Sequence, residues 1–527
     1  MLNYWFLSRP KRRLDSVPEV LAVFADLALE RKWEGARTAH LALENALESS
    51  SLKRKGDRRD QSGSGGRTYG AWIESLGLLF TREDTGNYEL TLAGEAIING
   101  DSPVNVISNQ VLKFQYPSPY SLSRGVMISP RFKVHPFIFL LRLLDDERIE
   151  YLTQEEIAKI IVVDAENDST KCFESVVSKI LSFRTYGASV LVDDFFDRYS
   201  PSRGSVNPNH PFSHLEDDAN TFINWLEYTQ LAKRNEEHKL VILEDKREKV
   251  RELLSKKWSF IDRPDNTEYF QRKYGLDPKH QKDTRNLSKT STVTAANVIQ
   301  MKIIKAYISI TLKRPVSKIT NEIINEIHLS TGFERSIIED VLRSKYPHGS
   351  IGAFMGNYFE MAFKGTEEAI EFEKATTCIF NDVFGYDAVH LGQTGNKSAP
   401  DVLLASKSNG YQAIIDNKAY QKYSISGDHH NRMVHNYIQR LATYSRFFDS
   451  SSATLLPLGF YLYISGGFTK QIDKQLVNIS QESGANGAGI TVSNLISMIE
   501  KNENHPYSHE ELRRIFGLNR QVLLADI

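Results

Sequence analysis

Two aspartates and one lysine in the last third of the chain have the residue types and spacing for phosphodiester hydrolysis. Asp401 opens the apolar run 402–404, and Asp416 and Lys418 close the β-branched and aromatic run 411–415. An Asn-Gly pair lies between the two runs, which predicts a β-hairpin. Two carboxylates brought together suit a hard divalent cation with oxygen ligands, such as Mg²⁺. A lysine beside that cation can position an attacking water and help to deprotonate it.

The hairpin register decides which of these side chains face each other. With the turn at 408–409, Asp401 is opposite Asp416; with the turn at 409–410, it is opposite Lys418. Side chains alternate along a strand, so Asp416 and Lys418 share a face, and directly opposite residues share one too. Both registers therefore bring the three side chains to one patch.

The acid-x-lysine pattern is weak by itself, because it recurs elsewhere in the chain. Only the copy at Asp416 and Lys418 follows an apolar strand with a Pro-Asp at hairpin distance upstream. The pattern alone leaves an alternative open, a surface hairpin with an ordinary salt bridge such as Asp401 to Lys418.

Length and composition indicate several ordinary globular domains. A chain of 527 residues is too long for one core, so two to four domains are expected. The content is 41% hydrophobic and 25% charged, and no run approaches the roughly 18 apolar residues of a membrane span. At the N-terminus an apolar patch precedes the charged residues, whereas a signal peptide has its charged residues before the apolar segment. We therefore expect a cytoplasmic protein with no membrane partner. Cys172 and Cys378 are far apart and favour a reducing compartment.

Net charge of −1 does not favour a nucleic-acid binder, but the basic residues are clustered. One cluster at 53–59 precedes the glycine-rich linker 62–66 and the helical pattern RTYGAWIESLGLLF. Strands at 78–81 and 88–91 then flank a turn, which predicts a helix followed by a two-stranded wing. The alternatives are a solvated basic loop and a wing that contacts protein. The expected DNA contacts are Lys53, Arg54, Lys55, Arg58, Arg59, Arg67, Thr68 and Gln115.

A second helix-and-wing pattern follows. It comprises an apolar helix at 137–144, a capping box at 153–156, an amphipathic helix at 217–228 and a hairpin around 235–236. These patterns predict a multidomain α+β protein. Its domains are an N-terminal winged-helix DNA-recognition subdomain at 1–130, a second at 131–256, a helical connector at 257–345 and a C-terminal domain at 346–527.

The C-terminal domain shows alternating helical and strand patterns. We expect helices at 369–384, 428–448 and 469–483, and strands at 459–465 and 489–492 in addition to the hairpin. A final helix should be capped by Ser493. The order predicts a small mixed sheet covered by helices on both sides.

Several stretches of the chain resemble a known family. FGYDAVHLGQTGNKSAPDV, YQAIIDNKAY, YLYISGGFTKQIDKQL and GANGAGITVSNLI resemble the FokI cleavage domain, a PD-(D/E)xK nuclease, in order and spacing. VLKFQYPSPY, followed by the apolar helix, resembles the AlwI and MlyI group of type IIS enzymes, and RTYGAWIESLGLLF with its wing resembles the FokI winged helix. The resemblance implies a type IIS restriction endonuclease that binds a short asymmetric duplex sequence and cuts at a fixed distance outside it.

The resemblance also implies roles for individual residues. Asp401, Asp416 and Lys418 would be the catalytic trio, and Asp401, Asp416 and the Asn417 carbonyl would hold Mg²⁺. Glu373 falls near the accessory acid of some superfamily members, with Glu371 as its rival. Dimerisation would involve Asp428, Asn431 and His435.

The partners implied are double-stranded DNA, a second copy paired transiently through the nuclease domain, and a cognate DNA methyltransferase in a prokaryotic cytoplasm. The alternatives are a strand-nicking endonuclease or the large subunit of a heterodimeric enzyme, and a winged-helix DNA-binding regulator with an inactive nuclease domain.

Overall fold

The chain forms two compact units. The computed structural model describes residues 1–7, 10–27, 33, 35–54, 63–118, 127–201, 210–286, 295–392, 399–445, 448 and 456–527. Unit 1 comprises Met1–Ile310 and Thr320–Pro347, and unit 2 comprises Thr311–Ile319 and His348–Ile527. The expected domain limits at 130, 256 and 345 stay predictions. In the described part of the chain, no helix combines the length and the apolar character needed to cross a bilayer.

Unit 1 contains the first expected helix and hairpin. Helix Ser64–Ser75 follows Gly63, whose φ of +80° suits glycine and whose added Cβ would lie 2.6 Å from His40 Cβ. Strands β1 (Leu79–Thr81) and β2 (Tyr88–Leu90) then pair antiparallel. The predicted order of helix, strand, turn and strand is confirmed.

The second expected helix and hairpin are also present in unit 1. Thr153 Oγ1 accepts from the Glu156 amide, and the Glu156 carboxylate accepts from the Thr153 amide, which forms the predicted capping box. Strands β3 (Ala232–Arg234) and β4 (Leu240–Ile242) pair antiparallel after helix Ser213–Tyr228. The described α-helices up to residue 347 are Val17–Leu27, Arg37–Ser49, Ser64–Ser75, Leu92–Ile98, Pro103–Leu112, Pro136–Asp145, Gln154–Glu156, Val162–Asp164, Thr170–Tyr186, Phe195–Arg198, Ser213–Tyr228, Arg247–Ser255, Thr267–Tyr274, Ala295–Thr311, Asn321–Thr331 and Arg335–Lys345.

Unit 2 is built on a mixed five-stranded sheet in the order β5-β6-β7-β8-β9. Strands β5, β6 and β7 pair antiparallel, whereas β7, β8 and β9 are parallel. The central strands are apolar and almost wholly buried, as expected for strands covered on both faces. Their bounds are Asp387–His390 for β5, Val402–Ser406 for β6, Tyr411–Lys418 for β7, Leu458–Ser465 for β8 and Gly487–Thr491 for β9.

Helices cover both faces of this sheet. On one face Leu403, Ile414 and Tyr461 pack with Met433 and Leu476 of two helical segments. On the other face helix Ala369–Asp382 contacts β6 and β7, and helix His509–Phe516 contacts β8 and β9. The described α-helices of this unit are Met355–Met361, Ala369–Asp382, Gly427–Asn431, Leu441–Ser445, Ile472–Ser483, Val492–Asn504 and His509–Phe516. The predicted mixed sheet between helices is confirmed.

Four details of the predicted C-terminal order were wrong. Strand β5 was not expected. The helix expected at 428–448 begins as Gly427–Asn431, continues as a π-helix at Arg432–Ile438 and resumes only at Leu441–Ser445. The last predicted helix is capped by Thr491, whose hydroxyl accepts from the Asn494 amide, and helix His509–Phe516 follows it.

Candidate active site

The β6–β7 hairpin adopts the first of the two expected registers. Val402 is opposite Ile415 and Ser406 is opposite Tyr411. The turn ends at Gly410, whose φ of +65° suits glycine. Continued by one residue, this register places Asp401 opposite Asp416, at the end of the hairpin away from the turn.

Asp416 is a buried carboxylate with one oxygen bound and one unsatisfied. Asp416 is 3% exposed, and it lies opposite Tyr463 of the neighbouring strand β8. Oδ2 lies 2.7 Å from Lys418 Nζ, and Oδ1 is buried without a hydrogen-bond partner among the described residues. An unsatisfied buried carboxylate oxygen is costly, so this atom is suited to a cationic ligand.

Asp401 is held by the backbone of the neighbouring strand. Its Oδ2 accepts a hydrogen bond of 2.7 Å from the Asn417 amide. Burial raises the pKa of Asp401 well above its ordinary value, and repulsion from Asp416 and Glu373 raises it further, against the attraction of Lys418. The metal-free site therefore stores electrostatic repulsion that a bound cation would relieve.

Lys418 is the cationic member of the trio. Burial alone would lower the pKa of Lys418, but the carboxylates of Asp416 and Asp401 outweigh burial and raise it above its ordinary value. The ammonium thus stays protonated at neutral pH. It can donate hydrogen bonds, and its expected help in deprotonating water stays a prediction.

Asn417 ties the end of β7 to helix Ala369–Asp382. Its Nδ2 donates to Thr376 Oγ1 at 2.7 Å, and Thr376 in turn donates to the Phe372 carbonyl. Tyr358 Oη lies 2.8 Å from the same Thr376 oxygen. The amide side chain thus points away from the patch of Asp416 and Lys418 and anchors the strand that carries them.

Glu373, and not its rival Glu371, faces the trio. The Glu373 side chain is largely buried, and its Oε2 lies 2.8 Å from His390 Nε2. Its charge acts on both Asp401 and Lys418. The Glu371 side chain is 60% exposed and pairs with Lys374. His390 was missed by sequence reasoning, although the alternation of β5 within the FGYDAVHLG stretch could have placed it on this face.

The residues present fit a divalent cation. Three carboxylates (Asp401, Asp416 and Glu373) and one ammonium (Lys418) have a net formal charge of −2 when all are ionised. In the described ranges no three acidic, histidine or cysteine side chains converge as a metal cluster. Oxygen donors of two aspartates with further sites left for water and phosphate are typical of Mg²⁺.

Part of the expected DNA-contact set lines one cavity of unit 1. Lys53, Arg54 and Thr68 line a cavity of about 570 Å³ together with Lys11. Arg54 is exposed. Lys53 is already paired with two carboxylates, Glu44 at 3.0 Å and Glu48 at 2.6 Å, and the Thr68 hydroxyl donates to the Ser64 carbonyl. Lys55, Arg58 and Arg59 lie outside the described residues.

The remaining two expected contacts are engaged within the unit. Gln115 is 5% exposed, its Nε2 donates to the Ile261 carbonyl, and its Oε1 accepts from the Ile261 amide. In this conformation Gln115 therefore has a structural role and offers no amide to a base. Arg67 is partly buried and also interacts within the protein.

The three expected dimerisation residues lie on the surface of one helical segment. Asp428, Asn431 and His435 are all exposed. Asp428 pairs with Arg432 at 2.7 Å, and His435 Nε2 lies 3.4 Å from a Glu482 oxygen. Their side chains are accessible to a partner, and their role in pairing stays a prediction.

Two protein-family models match the chain. The AlwI restriction endonuclease family matches residues 74–346, and the FokI cleavage domain matches residues 332–523. No curated protein matches.

Solved structures show weak similarity. The FokI restriction endonuclease is 15% identical, with 99% of each chain covered and a TM-score of 0.29. FokI bound to DNA is 14% identical, with 99% of each chain covered and a TM-score of 0.28. The BpuJ1 endonuclease binding domain, in complex with modified DNA, is 14% identical, covers 52% of this chain and 95% of its own, and has a TM-score of 0.36. These scores are too low for an argument, so the assignment rests on the family models. Because the AlwI model spans more than half of the 527 residues, the chain belongs to the AlwI restriction endonuclease family, and its C-terminal part is similar to the FokI cleavage domain.

Proposed function

We propose that the protein is a type IIS site-specific deoxyribonuclease. Unit 1 would bind a short asymmetric duplex sequence, and unit 2, a PD-(D/E)xK nuclease, would hydrolyse phosphodiester bonds at a fixed distance outside it. The observation that carries this proposal is the cluster of Asp401, Asp416 and Lys418 at one end of a hairpin, with a buried carboxylate oxygen left unsatisfied.

Asp401, Asp416 and the Asn417 carbonyl would hold Mg²⁺. The bound ion supplies Lewis-acid chemistry, which stabilises charge on the phosphate and acidifies water. Asp401 is fixed for this role by the Asn417 amide, and Asp416 by Lys418. One oxygen of each aspartate has no described hydrogen bond to a neighbouring strand or to Lys418.

Lys418 would orient the nucleophile and stabilise the transition state. Its ammonium, 2.7 Å from Asp416 Oδ2, would donate to the attacking water and to charge that develops on the phosphate. The water oxygen would form a bond to phosphorus as a water proton passes to solvent, while the bond from phosphorus to the 3′ oxygen breaks and that oxygen takes up a proton from solvent. The products are a 5′-phosphate and a 3′-hydroxyl.

Replacing Lys418 with methionine should lower the cleavage rate about 10²- to 10³-fold, the usual effect of losing one preorganised donor. Methionine keeps the aliphatic length but cannot donate a hydrogen bond. Single-turnover cleavage of plasmid DNA in saturating Mg²⁺ measures this effect. Lys407→Met is the matched control, because Lys407 pairs with Asp387 in the same sheet and is largely exposed. Equal rates for the two variants would contradict the role of Lys418.

The two helix-and-hairpin pairs of unit 1 would bind DNA and bring the nuclease to its target sequence. We interpret helix Ser64–Ser75 with β1 and β2, and helix Ser213–Tyr228 with β3 and β4, as winged helices that contact DNA. Arg54 and the basic segment beside it would bind phosphates. An enzyme of this kind would act in a prokaryotic cytoplasm beside a cognate DNA methyltransferase that protects the host sequence.

Double-strand cleavage would need a second nuclease domain. The described residues hold one catalytic trio, and one trio hydrolyses one strand. We propose transient pairing of two copies on DNA through the surface of Asp428, Asn431 and His435. A strand-nicking enzyme, or the large subunit of a heterodimer, is the second candidate, and the same observation supports it.

The rate of double-strand cleavage should therefore rise faster than linearly with enzyme concentration. Asn431→Arg places like charges on both facing surfaces and should make nicked DNA accumulate, whereas Asn504→Arg, at the exposed end of helix Val492–Asn504, should not. Gel analysis of supercoiled, nicked and linear plasmid measures both effects. A rate first-order in enzyme with only nicked product would favour the nicking enzyme.

Cleavage itself is the test of the proposed function. Full-length protein incubated with mixed DNA should produce discrete fragments in Mg²⁺ and none in excess EDTA. DNA binding without cleavage under any divalent-ion condition would instead support a DNA-binding regulator with an inactive nuclease domain.

A further inference from the structure

His390 and Glu373 form a second polar pair beside the catalytic trio. His390 is the last residue of β5, opposite Val402 of β6, and its Nε2 lies 2.8 Å from Glu373 Oε2. Both side chains are largely buried, at 15% and 14% exposure. A charge-assisted hydrogen bond of this length between buried groups fixes the orientation of the carboxylate.

The pair is tied mechanically to Asp401. The amide of Leu391, directly after His390, donates to the Asp401 carbonyl at 2.8 Å. The His390 backbone and the catalytic aspartate therefore belong to one rigid connection between β5 and β6. Loss of the contact from His390 to Glu373 would remove a partner of the carboxylate without removing this backbone hydrogen bond.

Gly392 lies close to both side chains of the pair. A Cβ added there would lie 2.1 Å from Glu373 Oε2 and 3.0 Å from His390 Nε2. Contacts below 3.0 Å force a shift, so only glycine leaves the carboxylate where it is. The position of Glu373 is thus set from two directions.

The charge held in this way acts on the trio. Glu373 lies close enough to raise the pKa of Asp401 and of Lys418, yet it does not join the two aspartates in a three-residue metal cluster among the described residues. Its contribution is therefore a fixed negative potential beside the two aspartates. Residues that orient or charge a metal site from outside its ligands change metal affinity about 10- to 100-fold.

We infer that His390 is a positioning residue that holds Glu373 beside Asp401 and so strengthens divalent-ion binding by the two aspartates. This inference rests on the proposed function, because it needs the aspartates to bind a divalent ion. His390 acts through Glu373 and does not contact the reacting atoms.

The test is Mn²⁺ binding by full-length protein, followed by electron paramagnetic resonance of the free ion. His390→Phe keeps an aromatic ring but removes the N–H, and should weaken Mn²⁺ binding about 10-fold. The Mg²⁺ concentration that gives half-maximal cleavage should rise by the same factor, while the rate at saturating Mg²⁺ stays close to that of the wild type. His390→Gln restores a donor and should recover most of the affinity. Gly392→Ala should displace the Glu373 carboxylate and weaken Mn²⁺ binding as His390→Phe does.

His505→Phe is the matched control, since His505 is exposed in the same unit, and it should leave Mn²⁺ affinity unchanged. A purely structural role for His390 would lower the melting temperature of His390→Phe and leave its Mn²⁺ affinity unchanged. That result would overturn the inference while the wild type still binds Mn²⁺ and cuts DNA. A wild type that neither binds Mn²⁺ nor cuts would overturn the proposed function as well.

Discussion

Asp416→Asn should abolish DNA cleavage and leave sequence-specific DNA binding intact. Asparagine keeps the size of the side chain and an oxygen that can accept from Lys418, but it removes the charge that makes Oδ1 a cation ligand. Without that ligand the site loses the Lewis acid on which hydrolysis depends. We therefore expect no cleavage above background in saturating Mg²⁺, measured on plasmid DNA, together with an unchanged dissociation constant for DNA in a mobility-shift assay.

The matched control is Asp387→Asn. Asp387 also belongs to the sheet of unit 2 and also pairs with a lysine, Lys407 at 2.9 Å, but both side chains are substantially exposed. Exposed ion pairs contribute only about 0–1 kcal/mol to stability, so this variant should fold and cut as the wild type does. Full activity of Asp416→Asn, or loss of activity in both variants, would contradict the assignment of the site.

Asp401→Asn should abolish cleavage and at the same time stabilise the metal-free protein. Burial, Asp416 and Glu373 all raise the pKa of Asp401 in the folded protein. The folded state therefore binds the Asp401 proton more tightly than the unfolded chain, so the ionised carboxylate lowers stability at neutral pH. Asparagine removes this repulsion and keeps an oxygen that can accept from the Asn417 amide.

The pH dependence follows from the same shift. Below the unfolded pKa of about 3.9, Asp401 is protonated in both the folded and the unfolded state, so it does not destabilise the metal-free wild type. As the pH rises from there through the raised folded pKa, the free energy of unfolding falls. The gain in melting temperature of Asp401→Asn over the wild type should therefore grow between acidic and neutral pH. Thermal melts in EDTA at several pH values measure it.

Calcium provides the control for this second prediction. A ligand that binds only the folded state stabilises it by about 2.7 kcal/mol at a concentration of 100 times its dissociation constant. Excess Ca²⁺ should thus raise the melting temperature of the wild type and leave that of Asp401→Asn unchanged. A lower melting temperature for Asp401→Asn in EDTA would show that Asp401 stabilises the metal-free fold. It would contradict the claim that repulsion between Asp401 and its neighbours destabilises that fold.

The hairpin was predictable because local signals in the sequence agreed with the tertiary structure. Asn409-Gly410 marked the turn, the flanking apolar runs marked the strands, and alternation placed Asp416 and Lys418 on one face. The choice between the two registers needed the structure, because either turn position preserved the convergence. The first helix and hairpin of unit 1 were predictable for the same reason, since apolar periodicity marked the helix and glycines marked where the elements end.

Long-range contacts were not predictable from local pattern. The short strand Asp387–His390 has polar residues at both ends. Its alternation could mark the face of His390, but its pairing with β6 is visible only in the fold. Gln115 was expected to contact DNA, but it bonds to Ile261, 146 residues away, which no periodicity indicates. Ser493 was expected to cap a helix, but the strand before it ends one residue earlier than expected, so Thr491 takes that place.

The most direct test of the central claim is to sequence the ends produced when full-length protein digests a plasmid in Mg²⁺. Breaks should lie at a constant distance to one side of a single short asymmetric sequence, should carry 5′-phosphates, and should be absent with Asp416→Asn or in EDTA. Breaks that are scattered, that fall within a symmetric sequence, or that persist with Asp416→Asn would contradict a type IIS nuclease centred on Asp401, Asp416 and Lys418.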